Sequence, residues 1–197
     1  VASAIDTVHL FESLGFNQIV ISLKSSNIFK TIEAYEKISS FCDYPLHIGI
    51  TEAGTENYGI VKSCVGIGSL LTRGIGDTIR VSLSANHVKE IEVGYKILKS
   101  LGMLNCVEVI SCPTCGRCSI DVKSLALEIE NFTKNIRKKL KIAVMGCPVN
   151  GPGEARDADF AITGANGIGL IFKNGEIIKK VPQNFLLEEL KKLIFEL

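Results

Sequence analysis

IVISLKSSNIFKTIEAYEKISSFCDYPLHIGIT (19–51) reads as a single strand–helix–strand unit. IVISLK (19–24) is an apolar run of the kind that lies between two covered faces in a parallel sheet. Ile28, Ile32, Tyr35 and Ile38 return at helical spacing, and after Pro45 the chain enters a second buried strand, LHIGIT (46–51). Working outward, residues 3–14 form a helix with Gly15 as its stop, and 61–73 form another that ends at Gly74. TIRVSL (78–83) is a third strand, and Val88, Ile91, Tyr95 and Leu98 make one face of a helix that Gly102 ends. Helix and strand in alternation imply an α/β fold, a parallel sheet with right-handed crossovers. Three such units are too few to close a barrel of eight strands, so a barrel on this pattern needs more than half its strands from elsewhere.

From Met103 the pattern changes to α+β. CVEVIS (106–111) is a strand that runs directly into a group of cysteines. Val122, Leu125, Ile129, Phe132, Ile136 and Leu140 trace one long amphipathic helix with Asp121 as its N-cap. KIAVMG (141–146) is a strand that again ends at a cysteine, and 160–181 holds short strands. FKNGEI (172–177) is a hairpin whose Asn-Gly pair suits a type I′ turn, and Phe185, Leu186, Leu190, Leu193 and Ile194 form a final helix. The expected domains are therefore 1–102 and 103–197.

The 197 residues are 46% hydrophobic with a formal net charge of +1. That is enough apolar surface for a real core, and the balance leaves no electrostatic footprint for nucleic acid or membrane lipid. No apolar run is long enough to cross a bilayer, and no secretory segment opens the chain. The chain starts at Val1 inside a helix, as a clipped or partial polypeptide would. Its 7 cysteines are an odd number without a secretory signal, which argues against a disulfide framework and fits the cytoplasm. Cys42, Cys64 and Cys106 fall singly in apolar patterns and read as small buried hydrophobes.

The remaining thiols carry chemistry. CPTCGRC (112–118) holds two C-x-x-C spacings, and Cys147 opens a second loop. Both follow strand ends, where a fold can bring distant loops together. Thiolates are soft ligands for zinc or for an iron–sulfur cluster, and spacing alone leaves both open, along with unliganded thiols. CPVNGPGEA (147–155) is more elaborate than a zinc knuckle needs and brings a carboxylate, Glu154, after the thiol. Such a loop can turn Glu154 back toward the metal, or it is a Gly/Pro turn with a solvated Glu.

LHIGITEAG (46–54), GIGDTIRVSL (74–83), SCPTCGR (111–117) and GCPVNGPGEA (146–155) resemble, in order and spacing, signature segments of the 4-hydroxy-3-methylbut-2-enyl diphosphate synthase family. The resemblance covers essentially the whole chain, as the C-terminal half of a bacterial-type member. It implies the C-terminal part of a TIM-like barrel followed by a small iron–sulfur domain similar to a sulfite reductase module. It implies one 4Fe-4S cluster on Cys112, Cys115, Cys147 and Glu154. Cys118 falls where the family has no cysteine, and Pro148 stands where an aliphatic residue is expected. The implied reaction is the two-electron reductive ring opening of 2-C-methyl-D-erythritol 2,4-cyclodiphosphate, fed by a ferredoxin- or flavodoxin-like donor. The implied assembly is a homodimer in which the cluster domain of one subunit faces the barrel of the other, and the N-terminal remainder of the barrel is a further partner.

The barrel half points the same way. Active sites of parallel barrels lie at the C-terminal ends of strands. Lys24 ends the first strand, Thr51 and Glu52 the second, and Arg80 and Ser82 lie late in the third. Lys, Glu and Arg on one face suit an anionic substrate with proton chemistry. Lys24, Thr51, Arg80 and Ser82 are assigned to substrate together with Asn150, and Glu52 and Glu154 to catalysis. His47, among apolar residues, reads as a core histidine. The rival readings are a ferredoxin-like electron carrier, which would want four thiolates, and a structural zinc protein.

Overall fold

A computed structural model describes residues 1–148, 153 and 156–196. The chain divides into two compact units, Val1–Met103 and Leu104–Leu197.

The first unit runs α1 (Ala2–Ser13), α2 (Ile28–Ser39), β1 (His47–Gly49), α3 (Glu56–Leu71), β2 (Thr78–Arg80) and α4 (His87–Ser100). β1 and β2 pair in parallel with His47 opposite Thr78 and Gly49 opposite Arg80. Asn27 and Asn86 cap α2 and α4, accepting from the N–H groups of Lys30 and Val88. Tyr35, Ile38, Ile48, Ile67 and Leu70 are fully buried where the helices cover the strands.

IVISLK is not a regular strand. Only Ile21 bridges in parallel, to Leu46, while Val20 stays exposed. Tyr35 supplies what a ladder would have: its hydroxyl accepts from Leu23 N–H at 2.9 Å and donates to His47 O at 2.6 Å. A buried phenol thus ties the first extended segment to β1. α3 starts at Glu56, earlier than periodicity predicts, because Asn57 and Gly59 look like loop residues. Gly59 is there for closeness, since a Cβ would meet the Leu83 side chain at 2.6 Å. Cys42 packs against this core, but Cys64 is exposed on α3 and Cys106 only half-buried, so they are not uniformly the buried residues expected.

The second unit is a five-stranded mixed sheet in the order β3 (Val107–Ser111), β4 (Leu140–Val144), β5 (Phe160–Ala165), β6 (Ile168–Lys173), β7 (Glu176–Pro182). β3 pairs with β4 and β4 with β5 in parallel, while β5–β6 and β6–β7 are antiparallel pairs. α5 (Val122–Thr133) and α6 (Leu186–Phe195) contribute Ile129, Leu186, Leu190 and Ile194 to a core with Ile142, Phe160 and Ile162. α5 stops at Thr133, short of the helix expected to Leu140. Leu140 has helical spacing from Ile136 but is consumed as the first residue of β4, opposite Val107. Asn174 and Gly175 both take left-handed φ (49° and 86°), as the expected type I′ hairpin demands. The same device, Asn166-Gly167 at 51° and 78°, joins β5 to β6. Among the described residues no helix is long and apolar enough to cross a membrane.

Candidate metal centre and anion-binding face

In the second unit, β3 and β4 run parallel with Ser111 opposite Val144, so the loops that leave their C-terminal ends start side by side. Cys112 N–H donates to Val144 O at 3.2 Å, and Gly146 N–H donates to Cys112 Sγ at 3.1 Å. Ser119 N–H returns to Gly146 O at 2.8 Å, and its hydroxyl also donates to Gly164 O. The cysteine loop is thereby laced to the residue preceding Cys147, which is itself buried. Cys115 is exposed at the loop tip, where the backbone N–H of Arg117, and then its side chain, hold the thiol below the usual thiol range.

Glu154 and Asn150 lie outside the described residues. Among the described residues no three of His, Cys, Asp or Glu converge closely enough to hold a metal ion. The donor chemistry nevertheless fits an iron–sulfur cluster. Cys112 and Cys147 are delivered from adjacent parallel strand ends, and one sulfur already accepts a backbone N–H of the kind that tunes cluster thiolates. Cys118 donates its thiol to Ile120 O at 3.2 Å, with its sulfur seated beside Gly146.

In the first unit, Arg80 ends β2 opposite Gly49 at the end of β1. A Cβ on Gly49 would lie 2.5 Å from Arg80 O and 3.5 Å from the Lys24 Cε, so the Lys24 side chain lies across the bare glycine backbone. His47 and Gly49 share one face of β1, as Thr78 and Arg80 share one face of β2. His47 Nδ1 and Thr78 Oγ1 are hydrogen-bonded at 2.7 Å.

Three basic side chains therefore gather. Lys24 is held below the ordinary lysine range by burial and then by Arg80. His47 is depressed by burial, then by Lys24 and Arg80. Neither Lys24 nor Arg80 makes an ion pair among the described residues. His47 is half-buried on this basic face, not sealed in the core as its apolar neighbours in sequence imply. The clue lay in its two-residue spacing from Gly49 and in a partner strand with Thr and Arg at the matching spacing.

Thr51 (half-buried) and Glu52 (exposed) follow β1, and half-buried Ser82 follows β2, so all lie beyond the C-terminal ends of parallel strands. Glu52 has φ of 51°, a left-handed conformation that costs a non-glycine residue about 1–2 kcal/mol. Strain of this type concentrates at functional sites.

Compared with known families, residues 1–95 match the GcpE TIM-barrel domain and residues 108–196 the GcpE protein C-terminal domain. The chain belongs to the GcpE family. A GcpE relative from Fusobacterium nucleatum, named 4-hydroxy-3-methylbut-2-en-1-yl diphosphate synthase (flavodoxin), is 57% identical over 197 residues, 100% of this chain and 56% of its own length. Relatives of the same name from Caldanaerobacter subterraneus and Geobacillus thermodenitrificans are 60% and 52% identical over 98% and 100% of the chain. The chain spans about half the length of these curated relatives, corresponding to their C-terminal half. The GcpE barrel assignment agrees with the parallel α/β reading of the first unit.

Proposed function

We propose that this chain is the C-terminal half of a 4-hydroxy-3-methylbut-2-enyl diphosphate synthase, working on 2-C-methyl-D-erythritol 2,4-cyclodiphosphate with a flavodoxin-like donor. The observation that carries it is the face where two cations, Lys24 and Arg80, gather beside His47 without a carboxylate partner among the described residues. Like charges held together at the C-terminal end of barrel strands favour a multiply charged anion, and a diphosphate meets that need.

Arg80 and Lys24 hold the diphosphate oxygens, and Thr51, Ser82 and Asn150 complete the polar contacts. Glu52 carries a proton at the ring oxygen that leaves. Cys112, Cys115, Cys147 and Glu154 would hold one 4Fe-4S cluster in a module like that of sulfite reductase. When bound, the cluster supplies one-electron transfer and Lewis acidity. The names of the GcpE relatives support an enzyme with a flavodoxin donor over an electron carrier or a zinc protein. The resemblance adds a cytoplasmic homodimer in which the N-terminal remainder of the barrel completes the substrate site.

Iron and labile sulfide analysis of anaerobically purified protein tests the cluster. Turnover of the cyclodiphosphate with reduced flavodoxin, in the presence of the remaining barrel, tests the reaction. Glu154→Cys should keep the iron while turnover collapses. A colourless zinc-loaded protein, or full turnover by Glu154→Cys, would overturn the reading.

A further inference from the structure

We propose that, when no cluster is bound, this protein closes a disulfide between Cys115 and Cys118, which shields the exposed cysteine and must be reduced before iron can be loaded. The loading consequence rests on Cys115 being a cluster ligand; the disulfide itself rests on the geometry of the loop.

Cys115-Gly116-Arg117-Cys118 is folded as a turn, with Cys118 N–H donating to Cys115 O at 2.9 Å. A turn of that kind brings its first and fourth Cα atoms within about 7 Å. Disulfides span Cα separations of about 4.4–6.8 Å, so the turn puts the two residues near bridging range once the Cys118 thiol swings away from Ile120 O. The two thiols are unequally placed. Cys115 is exposed, whereas Cys118 is half-buried and packs against the core of the second unit. It is also seated on Gly146, where an added Cβ would lie 2.3 Å from its sulfur. An outer thiol beside a sheltered one is the arrangement in which the first undergoes exchange with a solute and the second resolves the mixed disulfide.

The other two thiols are less available. Cys112 is tied to β4 by its own N–H and by the Gly146 N–H on its sulfur, and Cys147 is buried. Cys118 is outside the implied ligand set, so the disulfide gives it a role. Without a partner, an exposed thiol on a metal-free loop is open to irreversible oxidation past the sulfenic acid.

The exchange balances with a low-molecular-weight disulfide as oxidant. Cys115 sulfur attacks one sulfur of that disulfide, breaking its S–S bond, and one small thiol departs with the Cys115 proton. Cys118 sulfur then attacks Cys115 sulfur, and the second small thiol departs with the Cys118 proton. The protein loses two electrons and two protons, and the oxidant becomes two thiols.

The test uses protein stripped of iron anaerobically, exposed to oxidised glutathione, then denatured in acid, alkylated and mapped by mass spectrometry. Cys115 and Cys118 should be linked and lost to alkylation, while Cys112 and Cys147 alkylate fully. Cys118→Ser should instead keep a glutathione adduct on Cys115. Cluster-loaded protein treated identically should show no link. The oxidised cluster-free protein should take up no iron until a phosphine or dithiol reductant is added. A bridge that involves Cys112, a lasting glutathione adduct on wild-type Cys115, or equal iron uptake before and after reduction would overturn the proposal. If fully reduced protein takes up no iron under any condition, the cluster reading fails, while the disulfide map still decides this proposal.

Discussion

Gly49→Ala puts a methyl group into the contact between the two strands of the basic face. Its Cβ would lie 2.5 Å from Arg80 O, inside the 3.0 Å below which real Cβ contacts essentially never occur, so at least half an ångström must be found. The obstacle is a backbone carbonyl fixed by the pairing of Gly49 with Arg80, and no rotamer change can move it. Overpacking of this kind costs about 1–3 kcal/mol. At about 2–4 °C per kcal/mol for a chain of this size, melting should fall by between about 2 and 12 °C. Arg80 and Lys24 both border the intruding methyl, so pyrophosphate, used as a probe of the basic face, should bind about tenfold more weakly, or about 1.4 kcal/mol. Gly68→Ala is the control. It lies inside α3 with nothing within 4 Å of the new Cβ, and should stabilise the protein by about 0.5–1 kcal/mol. Urea denaturation followed by circular dichroism and calorimetric titration with pyrophosphate read both effects. If Gly49→Ala were as stable as Gly68→Ala and bound pyrophosphate like wild type, the proposed packing of Lys24 and Arg80 around a bare glycine would be wrong.

Because the folded-state pKa of His47 lies below its ordinary 6.5, the unfolded chain takes up the proton first on acidification. Stability is therefore complete above 6.5 and falls as pH drops through the depressed value; melting curves against pH should show this loss, flattened in His47→Gln and reduced by bound pyrophosphate. Glu52→Gln keeps the left-handed backbone and removes the proton carrier, so stability and iron content should hold while turnover drops roughly 10²–10⁴-fold. Glu52→Gly should lose turnover as well but gain up to about 1 kcal/mol in denaturant titrations, because glycine accepts that φ freely. Wild-type turnover in Glu52→Gln would return this residue to a structural role.

By itself the sequence determined whatever depends on local chemistry and periodicity. The alternation of apolar runs with helical faces specified a parallel arrangement for LHIGIT and TIRVSL, and Asn174-Gly175 specified the hairpin because few other pairs tolerate two successive left-handed residues. Motifs such as LHIGITEAG and GCPVNGPGEA were legible as family segments, which the GcpE matches support. Only the tertiary structure decided the rest. Leu140 fits both a helix and a strand by spacing, and pairing with Val107 chose the strand. IVISLK has the composition of a full strand, yet a buried hydroxyl from Tyr35, twelve residues along the chain, takes the Leu23 N–H that a ladder would have used. The passage of Lys24 over Gly49, His47 on the basic face and the seat of Cys118 on Gly146 all depend on neighbours far away in sequence. Periodicity records which side of an element is apolar. It carries no record of which distant backbone or side chain comes to lie against the other side, and that approach sets the charge environment of the candidate site.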